Sequence, residues 1–290
     1  MLAAGSPAVW QQFPVFAAKV MPFFFDTHAH LDYPDFQPDF VPMLARARAA
    51  GITKMISIGT DGESSRRAIA LAEQHADVYA TVGWHPGDAL NAPDDIRPTL
   101  REQARHPKVV AIGETGLDYY RLPGGKGSGT TAADARCKEK QAHLFQQQLE
   151  VAAETGLNCV IHQRGDCLED TLRLLAPFAG RVRSVFHCFA GDPAVVQRLL
   201  ALDCLVSFTG IVTFKNGQNV RASLAVTPLG KFMLETDAPY LAPVPFRGKR
   251  CEPAYVRQIA EVAAQVKNCS LEELSAATCR TAREFFPKLN

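Results

Sequence analysis

Short apolar runs alternate with longer stretches in which apolar residues recur at helical spacing along most of this chain. Eight runs, near 23–27, 54–59, 78–83, 109–113, 158–162, 183–187, 204–208 and 232–236, are almost continuously hydrophobic. That is the pattern of parallel strands covered by helices on one face and packed against one another on the other. Between them, segments such as 38–50, 62–75, 97–106, 138–155, 166–176 and 192–202 carry amphipathic helical periodicity. Parallel strands need crossover connections, so the alternation predicts a (β/α)8 TIM-type barrel, with a doubly wound open sheet as the alternative because a pattern does not show closure. Two more helices are expected after the last strand, near 253–267 and 271–285, the second opened by Ser270 with Glu273 at capping-box spacing, both packing on the outside of the barrel. The segment 122–136, LPGGKGSGTTAADAR, is rich in Gly, Ser and Thr and predicts a mobile loop after the fourth strand.

Composition narrows the picture. A length of 290 residues with 47% hydrophobic content suits one large α/β domain, placed at 23–290, with 1–22 as an irregular extension in which Met21 offers an alternative start. A formal net charge of +1 excludes a long-range positive field. A nucleic acid, if bound, must be held by local groups at a short segment or an end. None of the eight cysteines forms a C-x-x-C pair, which points to reduced, structural thiols. The first 22 residues lack the basic start and apolar core of a secretory signal, and no apolar stretch approaches the roughly 20 residues that span a bilayer. A cytoplasmic protein is expected.

Six side chains of metal-ligand type each follow an apolar run: His28, His30, Glu114, His162, His187 and Asp237. In a parallel barrel the C-terminal ends of the strands share one mouth, so these positions would gather around one or two cations. His28 and His30 are two apart and share one side of a strand, although an H-x-H pair also occurs as ordinary polar strand-end residues. Glu114 opens GETGLD, where it bridges two cations or caps a helix. His162 and His187 ligate or are hydrogen-bonded core residues. Asp237, stopped by the proline of DAP, binds metal and takes a proton from water, or caps the next turn. Glu235 would steady a ligand, and His85 would face the substrate as a hydrogen-bond donor. Trp84 is a base-stacking surface or a core residue.

The motifs DTHAHLD (26–32), GWHPGD (83–88), AIGETGLDYYR (111–121), IHQR (161–164), FHCFAG (186–191) and LETDAPYLAP (234–243) together resemble the TatD family of metal-dependent deoxyribonucleases, among the amidohydrolase-like barrels. The resemblance runs in order from about residue 23 to 285. It implies two divalent cations, Mg²⁺, Mn²⁺ or Zn²⁺, with His28, His30, Glu114 and Asp237 at the first, Glu114, His162 and His187 at the second, and His85 near the scissile phosphate. It departs from the family's pattern at Cys251, where asparagine is common, at Gln163, where a small residue is usual, and in the length of 122–136.

The expected function is a deoxyribonuclease, a 3′–5′ exonuclease on single-stranded DNA, with RNA as a further substrate. Asp237, Glu114 and His85 would be catalytic. Arg121, Lys126, Arg164, Lys215, Arg247, Lys249 and Arg250 fall in loops at the mouth, and of these Arg164, Arg247 and Lys249, with His85, are the expected phosphate contacts. Hydrolysis of a small ester, amide or phosphoester is the alternative chemistry, and a non-enzymatic subunit that keeps its metal for stability is the third reading.

Overall fold

All eight apolar runs form strands in the computed structural model, which describes residues 22–126 and 131–289. They are β1 (Phe24–Ala29), β2 (Ile52–Ile58), β3 (Val78–Val82), β4 (Val109–Asp118), β5 (Asn158–Arg164), β6 (Ser184–Phe186), β7 (Leu205–Phe208) and β8 (Phe232–Leu234). They pair in chain order, every pair parallel. The two edges then meet. Just beyond β8 the Asp237 N–H donates to the His28 carbonyl (2.9 Å) and the His30 N–H to the Ala238 carbonyl (2.7 Å), beside a parallel bridge between Ala29 and Ala238. This seam turns the sheet into a nearly closed (β/α)8 barrel and disposes of the open-sheet alternative, because a doubly wound sheet leaves its edge strands apart.

Helices α1 (Phe40–Ala49), α2 (Gly62–Gln74), α3 (Arg97–Ala104), α4 (Ala132–Thr155), α5 (Leu168–Leu175), α6 (Pro193–Ala201) and α7 (Gln218–Val226) alternate with the strands; α8 (Val256–Lys267) and α9 (Leu271–Phe285) follow. Two expectations need correction. The segment expected as a loop over 122–136 holds a short hairpin, Arg121–Leu122 against Gly125–Lys126, and the first turn of α4. Thr131 and Asp134 cap that turn reciprocally, so the helix starts inside the polar run that composition alone marks as loop. The helix α9 does not simply lie outside. Phe25, Ile56, Tyr79, Val110, Val160, Val185, Leu205 and Met233, one from each strand and mostly near its start, form a single cluster with Cys279, Phe285, Phe286 and Leu289. The end of α9 therefore plugs the N-terminal end of the barrel, leaving polar residues to the opposite end. The proposed extension at 1–22 lies, but for Pro22, outside the described residues, and so do 127–130. Among the described residues no helix is long and apolar enough to cross a membrane. All eight cysteines are free, six of them buried.

Candidate active site

The six polar residues that end apolar runs meet at the C-terminal mouth. A register shift between Asp26 and Ala29 turns His28 inward at 0% exposure, with His30 beside it at 5%. The ten-residue β4 carries Glu114 above the barrel floor, and two glycines let it run tightly against β5. Gly116 is one of them: with φ at +130° and its missing Cβ 2.1 Å from the His162 carbonyl oxygen, no other residue fits. Asp237 adopts a left-handed φ of 57°, which a short polar side chain tolerates, and this turn aims its carboxylate back at β1.

Glu114 stands at the centre. Its Oε1 lies 2.7 Å from His162 Nδ1 and 2.8 Å from His187 Nε2, which are themselves 3.2 Å apart. Its Oε2 lies 3.5 Å from His28 Nε2 and 3.8 Å from His30 Nε2. Asp237 Oδ1 completes the second group, 3.7 Å from His28 Nε2 and 3.4 Å from His30 Nε2. The His28 and His187 rings stack face to face at 4.0 Å.

Two observations show that this donor set fits divalent cations. Both ring nitrogens of His28, and Nδ1 of His30 and of His187, are buried with no hydrogen-bond partner among the described residues. Buried polar atoms are rarely left so unless something else binds them. Imidazole and carboxylate are also the ligand types that zinc and manganese accept, with the carboxylates suiting magnesium as well. Three overlapping donor groups, His28 with His187 and Asp237, His28 with His30 and Glu114, and His85 with Glu114 and His162, each bring their atoms within 4.8 Å of one another.

The electrostatics suit the same use. Burial alone would raise the Glu114 carboxyl, but the surrounding His187, His85 and His162 hold it well below the usual carboxylate range. Burial opposes a charge on His187, yet Glu114 and Glu235 raise its pKa well above the ordinary histidine value. Burial likewise acts against charge on His30, and is outweighed by Asp237 and Glu114. A divalent cation held here would supply positive charge in place of the protons that Glu114 and Asp237 favour on His187 and His30.

His85 sits with this group, its Nε2 3.3 Å from His162 Nδ1 and 3.6 Å from Glu114 Oε1. Its Nδ1 accepts the Gly87 N–H at 2.9 Å, and burial lowers its pKa to about 3. The neutral ring therefore carries its proton on Nε2, which faces the site as a donor.

Behind the inner group stand carboxylates that orient the rings. Glu235 lies 3.6 Å from His187 Nδ1 and is itself fixed by the Ser207 hydroxyl and the Cys188 N–H, both at 2.6 Å. Asp118 Oδ2 lies 3.3 Å from His162 Nε2. Sequence reasoning gave Asp118 no role; its signal was the even spacing from Glu114 along one strand, which places both on one face.

The outlying candidates separate. Arg164 is exposed and its guanidinium lies 4.5 Å from the Tyr120 ring centroid. Arg247, also exposed, lies 3.8 Å from the Phe214 ring centroid and donates to the Ala242 carbonyl, and Lys249 is exposed nearby in the chain. Arg250 is instead engaged by Asp39 at 2.7 and 3.0 Å, so it serves the scaffold. Trp84 is 7% exposed and packs in the core. Cys251 is fully buried, with burial pushing its thiol pKa up, so the departure from asparagine there alters packing under the site. The side chain of Lys126 lies outside the described residues.

Comparison with known proteins identifies the family. Residues 25–287 match the family of TatD-related DNases. The chain is 35% identical over 263 residues to the protein named uncharacterized metal-dependent hydrolase YabD of Bacillus subtilis (strain 168), covering 90% of this chain and 98% of that one. It is 36% identical over 270 residues to the 3′-5′ ssDNA/RNA exonuclease TatD of Cronobacter turicensis, covering 91% and 98%. The crystal structure of YjjV, a TatD homologue from Escherichia coli K12, superposes with a TM-score of 0.81 at 29% identity, covering 91% of this chain and 98% of that one. Matched in sequence along nearly the whole barrel and in fold over 91% of its length, the chain belongs to the family of TatD-related DNases and is a hydrolase acting on ester bonds.

Proposed function

We propose that this protein is a two-cation nuclease that removes nucleotides from the 3′ end of single-stranded DNA, and of RNA as a second substrate. The observation that carries the reading is the position of Glu114, whose two carboxylate oxygens face separate groups of donors. His28, His30, Asp237 and Glu114 Oε2 would hold one cation; His162 Nδ1, His187 Nε2 and Glu114 Oε1 would hold the other. Bound there, divalent cations supply Lewis acidity toward a phosphoryl oxygen and an acidified water. Zn²⁺ or Mn²⁺ suits the histidines, and the carboxylates also admit Mg²⁺.

The chain's own groups do the rest. Asp237, its side chain 14% exposed at the rim, takes the proton of the attacking water. His85 donates from Nε2 to the phosphoryl oxygen on which charge develops. Arg164, Arg247 and Lys249 hold flanking phosphates, which fix register without reading sequence. The name of the Cronobacter relative supports the 3′–5′ direction and the single-stranded substrate. Free cysteines suit a reducing compartment, and we place the protein in the cytoplasm.

The test uses end-labelled single-stranded DNA and chelator-stripped protein, with Mg²⁺, Mn²⁺ or Zn²⁺ restored one at a time. Laddering from the 3′ end that needs metal and disappears in Asp237→Asn is the expected result. Absence of cleavage by protein shown to hold two metals would refute the nuclease reading and turn attention to small esters or amides.

A further inference from the structure

We propose that Tyr240, backed by Tyr33, is a stacking platform for the base next to the bond that is cut, so that the enzyme selects an unpaired nucleotide at that step. The proposal rests on the nucleic-acid reading above.

Tyr240 is 52% exposed, although it is large and mostly apolar. It is nevertheless not a loose surface side chain. Its N–H donates to the Asp237 carbonyl at 2.9 Å, which fixes the turn that carries it. The ring stands edge-on to His30, with centroids 6.1 Å apart, and to Tyr33, at 6.3 Å. Tyr33 in turn stacks on His30 at 4.8 Å. These edge-type contacts hold the Tyr240 ring in place while about half of the residue stays open to solvent. A ring that is already immobile gives up little entropy when a base lies on it.

The other aromatic groups near the mouth explain why this one matters. Arg164 covers Tyr120, Arg247 covers Phe214, and Tyr33 covers His30. Among these rings Tyr240 is the one with no guanidinium or ring stacked on it among the described residues. It also lies beside the donor groups, three residues after Asp237 and with its ring centroid 6.1 Å from that of His30. A phosphate held at those donors therefore brings an adjoining base within reach of the tyrosine face. Every base has such a face, so stacking tolerates all sequences. A base in a duplex has both faces engaged by its neighbours, and using this platform would require pulling it out of the stack.

The experiment compares kcat/KM of the Mn²⁺-loaded protein on three single-stranded oligonucleotides: intact, abasic at the 3′-terminal position, and abasic at the penultimate position. The wild type should cut one abasic strand about ten-fold or more slowly than the intact strand. Tyr240→Ala should lose a similar factor on the intact strand and lose nothing further on that abasic strand, while Tyr240→Phe and Tyr240→Trp, which keep a face, retain most of the rate. Metal content and thermal melting of each variant guard against a folding or loading effect. Equal rates for wild type and Tyr240→Ala on the intact strand would overturn the proposal, as would the same fractional loss on all three strands. A wild type that cuts no nucleic acid would overturn the proposed function together with this inference, whereas normal cleavage without base dependence would overturn this inference alone.

Discussion

Asp26 is fully buried two residues before His28, and its carboxylate accepts the Thr236 N–H at 2.9 Å and the Thr236 hydroxyl at 2.5 Å. It thereby ties β1 to the segment after β8, across the seam that closes the barrel. Burial raises its pKa to about 8, with the Thr236 hydrogen bonds pulling the other way and the charge of Glu235 adding to the rise. A carboxyl raised in the folded state favours its protonated form. Its contribution to stability is complete below the unfolded value near 3.8 and is lost as pH climbs through about 8. The neutral amide of Asp26→Asn can keep both Thr236 contacts and does not ionise. Thermal melting of metal-free protein between about pH 4 and 8.5 should therefore show the wild type losing stability relative to this variant as pH rises. Parallel curves would show that Asp26 is ionised in the fold. The inner residues were legible in the sequence because a polar side chain ending an apolar run marks a strand end. Asp26, Asp118 and Tyr240 were not assigned, because their roles depend on the bulge in β1, the register of β4 and the turn after Asp237, none of which a hydrophobic pattern encodes.

Among the elements, α4 does more than cover β4. Two of its buried glutamines, Gln141 and Gln148, are seven residues apart and so lie on one face after two turns. Each grips the backbone of a single residue by both its groups. Gln148 accepts the Trp84 N–H at 2.8 Å and donates to the Trp84 carbonyl at 2.9 Å; Gln141 does the same to Asp118 at 2.9 and 3.1 Å. The residue after Trp84 is His85, and Asp118 faces His162, so one helix sets two parts of the site. Gln148→Leu leaves a buried N–H and a buried carbonyl without partners, at about 1–3 kcal/mol each. Denaturant unfolding should show a loss of about 2–6 kcal/mol, and kcat should fall as His85 loosens. The control Gln146→Leu, exposed and bonded among the described residues only to Glu150, should stay within about 0.5 kcal/mol of wild type. A Gln148 variant as stable as the control would remove the clamp from the account. Periodicity identified the helix but placed its start at 138 rather than Ala132, because a composition rich in Gly, Ser and Thr outweighed the Thr131–Asp134 capping box. It also did not reveal that glutamines on its buried side serve as backbone partners for the loop at Trp84 and the end of β4 at Asp118.

At the scale of the whole molecule, the eight-fold alternation made the barrel legible, while its closure and the plug formed by the end of α9 arise from contacts distant in sequence. Charge follows a similar division. A net charge of +1 leaves little long-range attraction for a polyanion, so on the proposed reading a strand would be held by a few cations at the mouth. Each phosphate neutralised on a single strand contributes a slope of roughly 0.7 to the fall of log affinity with log salt. Arg247→Ala and Lys249→Ala should therefore each reduce that slope by about 0.7. Arg250 has the same charge but is held by Asp39 and stands 3.7 Å from Glu252, which Arg46 also binds. Arg250→Ala should lower the melting temperature and leave the slope unchanged, since a cation already neutralised by the protein has no phosphate to give up. Binding isotherms for metal-loaded Asp237→Asn, expected to hold the strand without cutting it, measured across a range of salt for each double variant, decide the matter. A slope that falls equally for all three positions would mean that the loop acts as one diffuse positive patch, and that the pairing with Asp39 does not withdraw Arg250 from the substrate.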